Sequence, residues 1–344
     1  MKLNICFIMY PWETLDPVND STIRIIHEAV SRGHTVGITY PHKLTIRNSV
    51  SYGFVKIFRS KAKISKSIPT FYKLAVFTEK MLPMAGFDVI FLRSDPPIDN
   101  IMLNFLDSVK KDCFIVNDID GLRKASNKLY TAAFYDPENK IIPATHVTKN
   151  KDYLKRIIRE SKKDKMILKP LNGYGGSGVI VIEKTAIQNV NSLLDYYIDG
   201  KDGSNYVILQ EYVEGAELGD IRVIMLNGEA IGAMRRIPSA DDNRANIHAG
   251  GTVVKHVLTK QEKEICKEIA PKLVADGLYF AGIDIINGKL IEVNVTSPGG
   301  ISRINRLNRT KLQTKVLDFV ENVIREKTDL QHRKYAYRKK ISEL

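Results

Sequence analysis

Two acidic residues set inside apolar runs constrain this chain more than any other feature. Asp284 interrupts Gly282-Ile283-Asp284-Ile285-Ile286, and Glu292 and Asn294 interrupt Leu290-Ile291-Glu292-Val293-Asn294-Val295. The runs are joined by Asn287-Gly288, a pair suited to a two-residue hairpin turn because both central positions need positive φ. The segment therefore reads as an antiparallel ribbon. A turn centred between 287 and 288 sets Asp284 opposite Ile291, with Glu292 one place along. Strict alternation would then send Asp284 and Glu292 to opposite faces, so a bulge or local twist is needed to bring their oxygens together. Glu292 and Asn294, two residues apart, share a face. Charges in such runs are costly unless something binds them. Two carboxylates and an amide oxygen are hard ligands that suit magnesium, with manganese as a substitute.

The first third reads differently. Leu3–Met9, Val36–Tyr40, Val89–Leu92 and Phe114–Asn117 are short apolar runs alternating with helical patterns. Asp20-Ser21-Thr22 supplies caps for a helix over Ile23, Ile26, His27 and Val30, which Gly33 ends. Strands alternating with helices predict an open, mostly parallel sheet over residues 1–122. The character changes after about Ser126. Met166–Pro170 and Val179–Glu183 read as strands flanking a glycine-rich loop, and Asn227-Gly228 marks a second hairpin. Thr259-Lys260-Gln261-Glu262 is a capping box that opens a helix closed by Gly277. A last helix is expected over about Thr310–Glu326, followed by a loose polar tail.

Three further groups of residues could carry chemistry. Gly173-Tyr174-Gly175-Gly176-Ser177-Gly178 lets backbone amides turn toward an anion without side chains in the way. A strand follows it, so it is neither a Walker loop nor a Rossmann turn. Lys169, on the preceding strand, can neutralise phosphate charge; Lys128, in the helical stretch Leu122–Phe134, is a second candidate. Arg222 and Arg236 lie on the two arms of the 227–228 hairpin, with Arg235 and Arg244 nearby, and guanidinium forks suit carboxylate and phosphate. Asn246-Ile247-His248-Ala249-Gly250-Gly251 reads as a polar closing loop, with His248 as a bystander.

Composition limits the classes. No stretch of about 20 apolar residues exists, which argues against a membrane span. Met1–Met9 lacks a cleavage site and reads as a buried strand rather than a leader. Cys6, Cys113 and Cys266 show neither a disulfide framework nor a zinc pattern, which fits a reducing, cytoplasmic compartment. The net charge is +13. Much of it lies in Lys56, Arg59, Lys61, Lys63 and Lys66 and in the tail Arg333, Lys334, Arg338, Lys339 and Lys340, read as solvated faces.

Taken in order, these motifs resemble those of the prokaryotic-type glutathione synthetases of the ATP-grasp superfamily. The resemblance rests on Leu92-Arg93-Ser94-Asp95-Pro96-Pro97, Asn127-Lys128-Leu129-Tyr130 and Ile167-Leu168-Lys169-Pro170-Leu171-Asn172-Gly173. It continues through Gly219-Asp220-Ile221-Arg222-Val223, Arg236-Ile237-Pro238, Arg244-Ala245-Asn246 and Glu292-Val293-Asn294-Val295-Thr296-Ser297-Pro298. It implies an α/β and α+β chain. An N-terminal parallel-sheet (pre-ATP-grasp) substrate domain would occupy 1–122 and an ATP-grasp domain of two α+β subdomains 123–327. The lid would run over about 127–208 and the C-terminal subdomain over about 209–327, with a basic tail at 328–344. It also implies roles. Lys128, Lys169 and the loop Gly173–Ser177 would meet ATP phosphates, and Gln210-Glu211-Tyr212-Val213 would meet adenine. Asp220 or Glu217 would hold the ribose. Asp284, Glu292 and Asn294 would hold two magnesium ions. Arg222 and Arg236 would steady an acyl phosphate. Arg93, Asp95, Arg244, Asn246, Gly250, Gly251, Ser297 and Pro298 would bind the acid substrate. The reaction implied joins γ-glutamylcysteine to glycine, in a dimer or tetramer acting on small-molecule or short-peptide substrates.

The segment from about Pro41 to Phe87 and the C-terminal extension depart from the family pattern. Two other readings stay open. One is the same ATP chemistry on another acid–amine pair, as in peptide-tailing or natural-product ligases. The other is a nucleotide-fold protein associated with nucleic acid, which the charge favours and the intact acid–amide set opposes.

Overall fold

The computed structural model describes residues 1–59, 64–173, 176–199, 205–238 and 251–342. Contacts divide the chain into two compact units, Met1–Ile119 with Gly299–Leu344, and Asp120–Pro298.

The first unit is built on a seven-stranded sheet of β1 (Asn4–Met9), β2 (Thr35–Thr39), β3 (Leu44–Arg47), β4 (Val50–Phe58), β5 (Phe77–Pro83), β6 (Val89–Arg93) and β7 (Phe114–Val116). Strands β2, β1, β6 and β7 are parallel, as the buried apolar runs predict. Strands β3, β4 and β5 add an antiparallel edge. This edge is formed by residues within the segment 41–87. Asp20 caps the helix Ser21–Ser31 by accepting from the Ile23 amide at 2.7 Å. Gly33 follows with φ +84°.

Residues after Pro298 belong to this first unit, although in sequence they follow the ribbon of the second. The reason is visible in the side chains. Arg32 pairs with Asp318 at 2.7 Å, and His34 Nε2 meets Glu321 at 2.8 Å. Val316, Leu317 and Val320 are fully buried. The last helix runs from Leu312 to Ser342, so the segment expected as a loose tail is helical at least to Ser342. Its tyrosines, Tyr335 and Tyr337, are exposed. Lys56 also departs from a purely solvated face, since its ammonium reaches Tyr40 at 3.0 Å and Glu13 at 3.2 Å. Lys61 and Lys63 lie outside the described residues.

The second unit carries two antiparallel sheets. The four-stranded one is ordered β10-β9-β11-β8, from β8 (Thr145–Thr148), β9 (Lys165–Pro170), β10 (Ile180–Glu183) and β11 (Val207–Glu211). Leu168, Leu209, Met166 and Val207 bury one face against Leu154, Ile158, Val190 and Leu194. The five-stranded one is ordered β14-β13-β12-β15-β16, from β12 (Asp220–Leu226), β13 (Glu229–Ile237), β14 (Thr252–Lys255), β15 (Phe280–Ile286) and β16 (Lys289–Asn294). Both predicted Asn-Gly turns form, with φ of 47° and 83° at Asn227-Gly228 and 42° and 71° at Asn287-Gly288. The Thr259–Glu262 capping box is present. Among the described residues no helix is long and apolar enough to cross a membrane.

Two glycines give a contrast that stability measurements can check. A Cβ on Gly121 would sit 2.0 Å from the Asp276 carbonyl oxygen, whereas Gly33 has nothing within 4 Å and only a strained φ. Gly121→Ala should therefore cost about 3 kcal/mol or more by forcing backbone apart, and Gly33→Ala only about 1 kcal/mol. Denaturant midpoints with unchanged slopes would read both; equal losses would sink the distinction.

Candidate active site

The five-stranded sheet gathers its charged side chains on one face through strand register. Asp220 pairs across with Arg236, Arg222 with Asp284, and Asp284 with Glu292. The last pairing depends on a register shift between Asp284 and Ile285. Below the shift, Ile285 faces Leu290; above it, Asp284 faces Glu292 and Gly282 faces Asn294. The single extra residue, Ile291, is the bulge that simple alternation requires, and it turns Asp284, Glu292 and Asn294 to the same side.

The side chains form an alternating chain of charges. Arg236 grips Asp220 through Nε at 2.6 Å and a terminal nitrogen at 2.5 Å. The same arginine reaches Asp284 at 2.9 Å. Arg222 grips Asp284 with two bonds, at 2.5 and 2.8 Å. Asn294 donates its amide to Asp284 at 3.1 Å. Asp284 is 4% exposed, Arg236 8% and Asp220 9%. Burial alone would push the Asp284 carboxyl up, but Arg222 and Arg236 outweigh it and hold it at about 2. Burial, with the neighbouring Asp284 charge, pushes Asp220 up instead. Of the carboxylates on this face, Asp220, Asp284 and Glu292, the last is the most open, with 30% of its side chain exposed.

Gly173, the lysines and Glu292 also come together. Lys128 donates to the Gly173 carbonyl, and its ammonium lies 3.4 Å from Glu292. Its backbone amide bonds to Leu171 at 3.1 Å. That tie explains a difference from the sequence reading. The stretch 122–134 is not one helix; it breaks between Ile119–Lys124 and Leu129–Ala132, and Lys128 precedes the second piece. Lys169 is 6% exposed on the sheet face opposite Leu168. Burial brings its ammonium down to about 8, with Glu292 opposing and Lys128 adding to the effect. Its Nζ donates to Gln210 at 3.0 Å. Gln210 in turn donates to Thr145 at 2.8 Å, and Thr145 donates to the Pro143 carbonyl at 2.6 Å. Because the Thr145 proton is committed to Pro143, its oxygen must accept from Gln210, which fixes the amide's orientation toward Lys169. Sequence reading missed Thr145, because only the β8–β11 register sets it opposite Gln210.

The remaining predicted residues distribute as follows. Gly176 has φ +76°, and Ser177 beside it is exposed. The Glu211 amide bonds to Ala144 at 2.9 Å and the Tyr212 amide to Lys165 at 3.4 Å. Val213 follows them, partly exposed. Glu217 is exposed and 3.4 Å from the Tyr212 hydroxyl. Pro298 is buried, and a Cβ on Gly282 would come within 3.2 Å of it and 3.3 Å of Arg222. Ser297 precedes it, partly exposed, and Gly251 sits before β14. Arg93 and Asp95 belong to the first unit, where Arg93 is buried and donates to Thr22 at 3.0 Å. Tyr174, Gly175, Arg244, Asn246 and Gly250 lie outside the described residues. Asp284, Glu292 and Asn294 fit a divalent cation in donor chemistry, being oxygen-bearing side chains on one rigid face.

Comparison with known proteins agrees with this arrangement. Residues 3–123 match the profile of the prokaryotic glutathione synthetase N-terminal domain, and residues 127–309 that of the prokaryotic glutathione synthetase ATP-grasp domain. The glutathione synthetase of Thermosynechococcus vestitus is 36% identical over 92% of this chain and 98% of its own. That of Nostoc sp. is 34% identical over 93% of this chain and 98% of its own. Among solved structures, the ATP-grasp ligase PsnB complexed with minimal precursor, Mg and ADP superposes with a TM-score of 0.60 at 14% identity, covering 94% of this chain and 98% of that one. The D-cycloserine synthetase DcsG gives 0.59 at 13% identity, covering 94% and 99%. These two likenesses are of fold. With both domain profiles matched and its relatives covered over nearly their whole length, the chain belongs to the prokaryotic glutathione synthetase family and is an ATP-dependent ligase of the ATP-grasp fold that forms carbon–nitrogen bonds.

Proposed function

We propose that this enzyme joins γ-glutamylcysteine to glycine, using ATP to activate the cysteinyl carboxylate as an acyl phosphate. The observation that carries the proposal is the single sheet face on which Arg236, Arg222, Asp284, Glu292 and Asn294 converge. A carboxylate is a poor electrophile toward an amine until phosphorylation gives it a leaving group. That step moves a phosphoryl group between two anions, so the site must supply positive charge in fixed positions.

Each group on the page has a task. Lys128 and Lys169 bind the phosphates of ATP beside the 173–178 loop, and Gln210 with Thr145 keeps Lys169 aimed. The Val213 amide, which donates to no described residue, meets the adenine ring. Asp284, Glu292 and Asn294 hold magnesium, which supplies charge neutralisation at the phosphates when bound. Arg222 and Arg236 stabilise the charge of the phosphorylated carboxylate. Asp220 orients Arg236 through its two-point grip, and Glu217 is the alternative partner for the ribose. In support of a reducing compartment, all three cysteines are buried and unpaired.

Phosphate release from ATP, dependent on both γ-glutamylcysteine and glycine, tests the substrates. Release with other acid–amine pairs alone would reject them in favour of a different ligase. Glu292→Ala should lower kcat by at least about a hundredfold while the far-ultraviolet spectrum is unchanged; activity near wild type would remove Glu292 from the metal set.

Lys169 gives a pH test with a defined sign. Its folded-state pKa is about 8, below the ordinary lysine value, and phosphate binding favours the charged form. ATP affinity should therefore be constant below that value and fall as pH rises through it. Lys169→Arg, which stays protonated, should bind ATP with no such inflection. An inflection retained in the arginine variant would assign it to another group.

Asp220→Asn and Glu217→Gln separate the ribose candidates. The residue that holds the ribose should, when changed, abolish the enzyme's preference for ATP over 2′-deoxy-ATP. Loss of preference in neither variant would dismiss both assignments.

A further inference from the structure

Three arginines of the first unit lie close together without a carboxylate in salt-bridge contact. Arg24 stands on the helix Ser21–Ser31, and Arg303 and Arg306 stand on the helix Ile301–Asn308. Arg24 donates through Nε to the Ser302 hydroxyl at 2.5 Å and through a terminal nitrogen to the Val18 carbonyl at 3.1 Å. Arg306 donates to the Asn19 side chain at 3.3 Å. Arg24 and Arg306 thus touch adjacent residues of one loop, while Ser302, bonded to Arg24, is the chain neighbour of Arg303.

The loop beneath them is pinned in place. Asp16 accepts from the Val18 amide at 2.9 Å and from the Asn19 side chain at 2.8 Å. The Ser302 hydroxyl donates to the Asp20 carbonyl at 2.8 Å, which ties the two helices together. Among the described residues, no carboxylate oxygen lies within 4.0 Å of any of the three guanidinium groups. Arg303 has no hydrogen-bond partner there at all. Arg24 and Arg303 are partly buried and Arg306 is exposed. Burial and the charge of Arg306 lower the pKa of Arg24 against the pull of Asp20; burial lowers that of Arg303 against the pull of Asp16, with Arg306 adding to the effect.

Like charges gathered on a pinned scaffold repel one another, and partial burial weakens the screening by water. Ordinary surface arginines spread apart or find a carboxylate. Arg24 and Arg306 are held in place by hydrogen bonds to Ser302, Val18 and Asn19, Arg303 stands on the same helix as Arg306, and their remaining N–H donors form planar forks that match a carboxylate.

We propose that Arg24, Arg303 and Arg306 form an anion site that takes a carboxylate group of a small molecule. The ligand is a free dicarboxylate that binds independently of turnover.

Malonate titrated into the full-length protein at matched ionic strength is the primary probe, because it requires no catalysis and survives a wrong choice of substrate. Calorimetry should show saturable binding to wild type. Arg306→Gln, at an exposed position, should weaken it about tenfold, the loss expected for one charge-assisted hydrogen bond. Equal binding by wild type and variant, or no heat beyond that of matched chloride, would overturn the site.

Discussion

Asp284 is the constraint on which the second unit is organised. Its carboxylate is almost fully buried and lies between Arg222 and Arg236. A lone buried carboxylate would be expensive, and a pair of buried arginines equally so. Together with Asp220 they form an alternating set, two positive and two negative, in which each charge has an opposite neighbour. The set holds three adjacent strands in register and leaves Arg222 and Arg236 poised on the same face as Glu292. Removing Asp284 would leave two arginines without their shared partner, so its value is architectural before it is chemical.

The bulge at Ile291 converts this architecture into a site. Without it, Glu292 would point to the opposite face, and the most accessible carboxylate of the ribbon would be separated from Asp284. The four-stranded sheet contributes in a different way. It buries Lys169 on the face opposite its hydrophobic core and holds it through Gln210 and Thr145. Burial lowers the cost of removing the lysine's proton, and phosphate charge would raise it again. The same burial that weakens the ammonium therefore makes it responsive to an anion.

Much of this was legible in the chain itself. The Asn-Gly pairs, the capping box, the Asp20 cap and the alternating strands of the first unit all formed as their local chemistry predicts. The ribbon was legible down to its need for a bulge, because period-two alternation leaves no other way to unite Asp284 and Glu292. Lys128 was read as part of one helical stretch over 122–134, whereas the Asn127 side chain accepts from the Leu129 amide and the Lys128 amide bonds to Leu171, which breaks the helix there. The final helix was read as too short because its exposed turns show no apolar period, and burial of its first turns in the first unit was invisible from sequence.

The division between the two sources of information has a physical basis. Sequence alone determined the identity of local elements and the presence of oxygen and guanidinium groups, since turns, caps and alternation depend on residues a few positions apart. Only the tertiary structure decided which of those groups meet: Gln210 with Thr145, Arg24 with Ser302, and Arg32 and His34 with the helix Leu312–Ser342. Those contacts join residues tens to hundreds of positions apart. They follow from strand register and helix packing, which are settled by burial over the whole unit and leave no local trace in the chain.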